Sequence, residues 1–318
     1  MTKDELKLSI VIVTYNRSEV LIDTIKHIFE LDDYSKSAIE IVIVDQTIKH
    51  TTAAESALLN WSTTEVIRWI KLDEPHLTRA MNQGLLAAHS ELVLYLDDDI
   101  IPEKKLLTSH IRAHLKDRSI AVVVGQILQP GETSSAIEYH PQKSGLRAFM
   151  DFPFRSTEAC MIENAMAGNM SLKRDIALRH GGFDEQFIPP VAARFETEFA
   201  KRLIKEGEKI WFEPRGSIRH LAVSSGGTRA KGSHLNSAQA YFGFGDYYYA
   251  FKHGARFECI GYCVKRFFRE VRTKYHLSHP WYIPVKCLGE TRAFFMALKA
   301  SRQPQKLIPE SDRLGNNR

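Results

Sequence analysis

Residues 91–102 read ELVLYLDDDIIP, and the reading of this stretch decides the fold. The apolar run 92–96 is short and continuous, the pattern of a strand buried on both faces of a parallel sheet. It ends in three successive carboxylates, Asp97, Asp98 and Asp99, followed by Ile100, Ile101 and Pro102. Adjacent acids repel one another and are costly to bury. They suit the carboxyl edge of an α/β sheet, where ligands bind and a divalent cation bridging phosphates offsets their charge. An ordinary acidic turn after a strand is the plain alternative, so the surrounding chain must decide.

Toward the N-terminus, residues 75–89 read as a helix, 66–72 as a strand and 53–61 as a helix. Residues 40–45 (EIVIVD) and 8–14 (LSIVIVT) are β-branched, continuous and strand-like. Between those two strands, Ser18 can cap a helix whose Val20, Leu21, Ile25, Ile28 and Phe29 recur at helical spacing. Toward the C-terminus, 103–116 reads as a helix and 120–128 as a strand. Residues 129–163 form a long connection with Pro, Gly and Ser, of a length usually functional or mobile. Residues 167–185 read as a turn, a short helix and a second turn, and 195–206 as a helix with acids in its first turn. Short strands are expected over 211–220, with Trp211 in the core, before a small basic loop at 224–234. Strand–helix alternation of this kind predicts an α/β fold with a mostly parallel sheet covered by helices. Neither GxGxxG after the first strand nor GxxxxGK[ST] occurs, so a nucleotide would be held in another way.

From residue 234 the chain turns aromatic and basic, and two or three amphipathic helices are expected as an extension. Aromatics beside Lys265, Arg266, Arg269, Arg272 and Lys274 suit an anionic membrane surface. A helical subdomain packing its aromatics on the core fits the same pattern. The expected division is 1–232 for the α/β body and 233–318 for the extension. The chain has 318 residues, 43 Lys and Arg against 38 Asp and Glu, and a net charge of +5, a composition of globular type. No apolar run reaches the roughly 18 residues of a spanning helix. The N-terminal stretch reads as a first strand rather than a signal peptide. The four cysteines lack metal spacing, and Cys259 and Cys263 share a helix face, as packing residues do. A cytoplasmic setting is expected, with possible peripheral contact on the inner face of the plasma membrane.

The order of these pieces resembles the family 2 glycosyltransferases of the GT-A fold, from about Ser9 to Arg229. SIVIVTYNR resembles the family's first strand and nucleotide-base loop, which implies donor contacts for Thr14, Tyr15, Asn16 and Arg17. VIVDQT puts Asp45 where the family uses an acid on the base. LTRAMNQGLLAA resembles its arginine and asparagine-glycine helix, with Arg79, Asn82 and Gly84 in matching places. LDDDIIP resembles the acidic metal motif: Asp99 would ligate Mn²⁺ or Mg²⁺ and Asp98 would lie at the ribose and metal. Asp97 is counted with the donor set but expected to be more structural. His220 is a further candidate metal ligand, and Arg229 and Lys231 could close over the diphosphate. Gly168 and Asn169, with Asp184 in the GGFDE turn, would line the acceptor and sugar side.

Relatives carry a Glu-Asp pair at the start of a helix reading EDxELxxRL, and its acid serves as base. Here the pair is Phe195-Glu196, so the base is expected to be Glu196, its pKa raised by the neighbouring ring. Glu198 is the alternative if the register slips. The resemblance implies a metal-dependent inverting transferase. It would move a sugar from a nucleotide-diphosphate donor to a glycan or lipid-linked acceptor, in bacterial surface-polysaccharide synthesis. A nucleotide-sugar-binding protein without turnover, or a sugar-phosphate nucleotidyltransferase, remains the alternative. Nucleic acid is not an expected partner.

Overall fold

The computed structural model describes residues 7–139, 145–147, 152–227 and 233–314. Its elements follow the expected alternation: β1 (Leu8–Thr14), α1 (Ser18–Phe29), β2 (Ile39–Asp45), α2 (Thr52–Thr63), β3 (Arg68–Lys71), α3 (Leu77–Ala87) and β4 (Leu92–Leu96). Then come β5 (Ile100–Pro102), α4 (Leu106–Lys116), β6 (Ile120–Leu128), β7 (Cys160–Ile162), β8 (Asn169–Lys173), α5 (Arg174–Arg179), α6 (Phe195–Lys205) and β9 (Lys209–His220). The extension holds α7 (Tyr241–His253), α8 (Arg256–Val271), α9 (Lys274–Ser278), α10 (Ile283–Ser301) and α11 (Glu310–Leu314).

The described strands form one nine-stranded sheet in the order β3-β2-β1-β4-β8-β6-β9-β5, with β7 also on β9. β3, β2, β1 and β4 run parallel, and β6 pairs β9 in parallel. The parallel expectation therefore describes the N-terminal half, while β8 runs antiparallel between β4 and β6. Sequence reading placed a turn where β8 stands, because NMSLK is short and half polar. Met170 and Leu172 enter the larger hydrophobic cluster. On the opposite face, Ser171 meets His110 Nδ1 at 2.8 Å and His114 Nε2 at 3.0 Å, and both histidines are buried. Burial pulls these histidines down to about 4 and about 3, so they stay neutral at neutral pH. The expected short strands over 211–220 are one longer strand whose register against β6 shifts between Gly125 and Ile127. Pro214, which has no N–H to donate, lies in the shifted stretch.

Alternation along the central strands sends side chains to two cores. In β4, Leu94 and Leu96 join Ile10, Ile12 and the inner faces of α1, α2 and α4. Val93 and Tyr95 join α3, α5 and α6, and that cluster continues into α7, α8 and α10. The aromatic run of α7 packs inward: Tyr247, Tyr248 and Tyr249 are buried. Their hydroxyls donate to Glu290 at 2.8 Å, Asp184 at 2.6 Å and the Leu146 carbonyl at 3.3 Å. For α7 the packing reading of the aromatic extension is the one observed. The expected boundary at residue 232 lies outside the described residues. No helix among the described residues is long and apolar enough to cross a membrane.

Candidate active site

The acids of residues 97–99 lie where β4 stops and β5 begins, at the carboxyl edge of the parallel strands. The antiparallel β5–β9 pairing sets Ile100 opposite His220, and the Leu221 N–H donates to the Asp99 carbonyl at 2.8 Å. That register carries His220 onto the acids. Its Nε2 lies 3.1 Å from Asp99 Oδ1 and 3.7 Å from Asp97 Oδ2. Its Nδ1 is 2.9 Å from Gln129 Oε1. Since that oxygen only accepts, Nδ1 carries a hydrogen, and Nε2, a donor when the ring is charged and a metal ligand when it is neutral, turns to the acids. Gln129, at the start of the long connection, carries no motif and was not a sequence candidate.

The three acids differ sharply in surroundings. Asp98 is buried: Thr14 Oγ1 donates to it at 2.7 Å and Arg17 Nη1 at 2.6 Å. Thr24 Oγ1 donates to its carbonyl at 2.8 Å. Burial raises its pKa to about 6 despite the Arg17 guanidinium. Asp99 is fully buried, and its Oδ2 accepts from the Val223 N–H at 3.0 Å. Burial alone would raise Asp99, but the His220 contact and the Arg17 charge hold it below the usual carboxylate range. The Asp97 side chain is 50% exposed and faces the cleft. Its placement needs Gly168, where a Cβ would come within 2.3 Å of Asp97 Oδ2. Asp97, expected to be the more structural acid, and Asp98, expected at the ribose and metal, both line the cleft. Asp97 joins Asp99 and His220, while Asp98 is spent on Thr14 and Arg17.

Asp97, Asp99 and His220 bring ligand atoms within 4.8 Å of one another. Two carboxylates and an imidazole suit Mn²⁺ or Mg²⁺ and leave open positions for phosphate oxygens. Asp99 Oδ1 is buried without a hydrogen-bond partner among the described residues, although Arg17 Nη1 is 3.0 Å away. An acceptor of this kind, aimed between His220 and Arg17, fits a cation.

These groups line a cleft of about 280 Å³ that also presents Thr14, Tyr15, Arg17, Gln46, His76, Gly168 and the 189–193 loop. Phe195 and Glu196 line it as well. Glu196 Oε1 accepts from the Ala167 N–H at 2.9 Å. Burial first, and the nearby Asp97 charge, lift Glu196 to about 7 against that bond and Arg194. Residues 167 and 168 thus hold the Glu196 carboxylate on one side and make room for Asp97 on the other. Glu198, the register alternative, is fully buried and bonded to Arg202 at 2.8 Å and to Gln305 at 2.7 Å. Burial would raise it, but the Arg202 charge and the His253 contact bring it to about 2. Its carboxylate is consumed by structure.

Other expected site residues lie behind the wall. Asn169 is fully buried and donates to the carbonyls of Gln126 at 3.0 Å and Gly216 at 2.7 Å. Asn82 clamps the Phe183 backbone, donating to its carbonyl and accepting from its N–H, both at 2.8 Å. Asp184 accepts from Tyr248, Gln305 and the Lys306 N–H. Arg79 pairs with Glu185 at 3.5 Å and Glu74 at 3.8 Å. None of these four is among the cleft-lining residues. Asp45, also off the lining, accepts from His50 at 2.6 Å, Trp69 at 2.9 Å and the Thr47 N–H at 2.8 Å. Its neighbour Gln46 reaches the cleft. Asn16 is exposed, with a left-handed φ of 55° and its N–H on Thr47 Oγ1 at 2.9 Å. Arg229 and Lys231 lie outside the described residues.

The profile of Glycosyl transferase family 2 matches residues 9–174. The chain belongs to glycosyltransferase family 2. The family 2 match carries the acidic cluster and ends before Glu196 and His220, which the fold adds. Pre-mycofactocin glycosyltransferase of Mycobacterium tuberculosis is 26% identical over 159 residues, covering 47% of this chain and 31% of that protein. The chain thus spans about a third of the length of the curated relatives it matches. Among solved structures, GalNAc-T7 with UDP, GalNAc and Mn²⁺ superposes with a TM-score of 0.55 at 17% identity, over 79% of this chain and 51% of the other. S. aureus TarS gives 0.53 at 12% identity, over 81% and 42%. The mannosyltransferase PcManGT from Pyrobaculum calidifontis, with GDP-Man and Mn²⁺, gives 0.50 at 16% identity, over 92% and 73%. At such identities the likeness is one of fold, the GT-A architecture.

Proposed function

We propose that this chain transfers a sugar from a nucleotide-diphosphate donor to an acceptor hydroxyl with inversion, using a divalent cation. The observation that carries the reading is one cleft lined by both the Asp97–Asp99–His220 cluster and Glu196. The Mn²⁺ with UDP and GalNAc in the GalNAc-T7 structure, and with GDP-Man in the PcManGT structure, supports it. Thr14, Tyr15, Asn16 and Arg17 would frame the donor, with Asp45 and Gln46 toward the base, and Arg229 would approach the diphosphate. Asp97, Asp99 and His220 would hold the cation, which, when bound, stabilises charge on the departing diphosphate.

Glu196 takes the acceptor proton as the acceptor oxygen bonds to the anomeric carbon and the bond from that carbon to the diphosphate breaks. A single displacement inverts the configuration. Ala167 holds the Glu196 carboxylate toward the cleft, and Phe195 and the 189–193 loop limit water there. Gly168 leaves the acceptor side open. In this reading residues 1–232 carry the transfer chemistry and 233–318 brace it. The acceptor would be a glycan or lipid-linked saccharide in cell-surface synthesis, met at the inner face of the plasma membrane.

The test is thermal shift of wild type and Asp99→Ala with UDP-, GDP- and dTDP-sugars, with and without Mn²⁺. Metal-dependent stabilisation by one nucleotide class, absent in the variant, is expected. No metal-linked shift with any nucleotide would sink the reading.

A further inference from the structure

The outward face of α8 is apolar. Phe257, Ile260, Val264 and Phe268 follow one another at helical spacing and form a single stripe. They are 87%, 55%, 50% and 46% exposed. The opposite side of the helix is already satisfied: Cys259, Tyr262 and Cys263 are buried, and Arg266 reaches Asp246 at 2.9 Å. The stripe is therefore a second apolar face.

Lys265 and Arg269 lie to one side of it, roughly 95–135° around the helix axis from its centre line, and Arg272 caps the helix. The Arg272 guanidinium lies over the Phe268 ring, 4.7 Å from its centre. The acids of α8 are engaged elsewhere. Glu258 accepts from the Leu146 N–H, and Glu270 is shared among Arg266, Arg269 and Lys286. Large exposed apolar side chains are ordinary one at a time, but a continuous row rimmed by one sign of charge marks an interaction surface.

We propose that this face of α8 docks on an anionic lipid bilayer, lying in the headgroup plane with the stripe inserted and the basic flank among acidic headgroups. Charge complementarity selects this occupant. A second copy of the chain packed antiparallel would set basic flank against basic flank, and the acids of this helix are already engaged. The inference deepens the transferase reading and, for its purpose, rests on it: a docked enzyme meets a lipid-linked acceptor at the membrane surface.

The experiment is vesicle flotation of the full chain on phosphatidylcholine alone and on an equimolar mixture with phosphatidylglycerol, at low and high salt. Flotation with the anionic vesicles only, weakened by salt, is expected. Phe257→Ser with Ile260→Ser should lower it at least tenfold. Lys265→Gln and Arg269→Gln should each lower it about 5-fold. The thermal midpoint and the metal-linked nucleotide shift, read without vesicles, should stay unchanged in all these variants. Indifference of the parent to anionic vesicles, equal flotation of the serine variant, or a parent dimer that this variant separates would overturn the proposal. A nucleotide shift without flotation overturns docking alone, and flotation without a nucleotide shift leaves docking and removes the transferase reading.

Discussion

Of the two carboxylates in the first turn of α6, Glu196 keeps an oxygen at the cleft, whereas Glu198 is closed in by Arg202, His253 and Gln305. With Glu196 raised to about 7 by burial and by Asp97, kcat/KM should fall as pH drops below that value, because the base must be unprotonated. Glu196→Gln should cost roughly 10²–10⁴-fold in kcat with little change in donor affinity. Stability should move the other way. A folded pKa above the unfolded one stabilises the fold at low pH, and this is lost as pH rises toward 7. Glu196→Gln should therefore raise the thermal midpoint at pH 8 relative to wild type and leave it nearly unchanged at pH 4. Cation binding at Asp97 should shift the acid limb of the activity profile to lower pH. The neighbouring acids separate by the same logic. Asp98→Ala leaves the buried Arg17 without its closest carboxylate and should destabilise the fold by roughly 3–5 kcal/mol in urea titration. Asp97→Asn should leave stability in place and weaken Mn²⁺ binding. Gly168→Ala should resemble Asp97→Asn in calorimetric Mn²⁺ titration, since the half-exposed Asp97 carboxylate can swing aside but then leaves the cluster.

Elements that bury both faces with hydrocarbon announce themselves in sequence, and β1, β2, β4 and β6 stand where their continuous apolar runs put them. β8 escaped notice because its hidden polar face is made apolar only by partners elsewhere in the chain. Asn169 and Ser171 are satisfied by His110 and His114 from α4, and no local pattern reports a hydrogen bond across sixty residues. The same limit applies to the site. The acids were legible as a run, and their order along the chain gave the cluster its position. Which acid faces the cleft depends on Gly168 and on Arg17, and the β5–β9 register that delivers His220 is a tertiary fact. Asn169 was legible as a residue of interest, but not its bonds to His110 and to the Gln126 and Gly216 carbonyls. Asn169→Ala should leave His110 Nε2 and the carbonyls of Gln126 and Gly216 without their partner, at roughly 1–3 kcal/mol for each buried group. Chemical denaturation should show this loss, while the Mn²⁺ affinity of the folded protein stays close to wild type.

At the scale of the molecule, the extension is part of the catalytic body's own packing. α7 presses on the loop before α6: a Cβ at Gly245 would come within 1.7 Å of the Ala193 carbonyl. One residue on, Asp246 accepts from Arg194 at 3.1 Å and Tyr262 at 2.8 Å, and it pairs with Arg266 at 2.9 Å. Arg194 is the residue that opens α6, held in the left-handed region at φ 71°, two positions before Glu196. The chain then returns beneath α6, where Ile308 donates to the Gly181 carbonyl at 2.9 Å and Gln305 bonds Asp184 and Glu198. A fragment ending at residue 232 would lose α7, whose Tyr248 ring packs 5.1 Å from Phe187 in the larger core. It should be insoluble or fail to bind donor. Asp246→Asn in the full chain is the finer probe. It retains the shape of the side chain but removes the charge that neutralises the buried Arg266 and the partly exposed Arg194, and should cost about 3–5 kcal/mol. Because Arg194 then loses its anchor, Glu196 should be held less well, so kcat should fall several-fold while the metal-linked nucleotide shift persists. If kcat and KM are both unchanged in the folded Asp246→Asn protein, the extension stabilises the body without positioning the base.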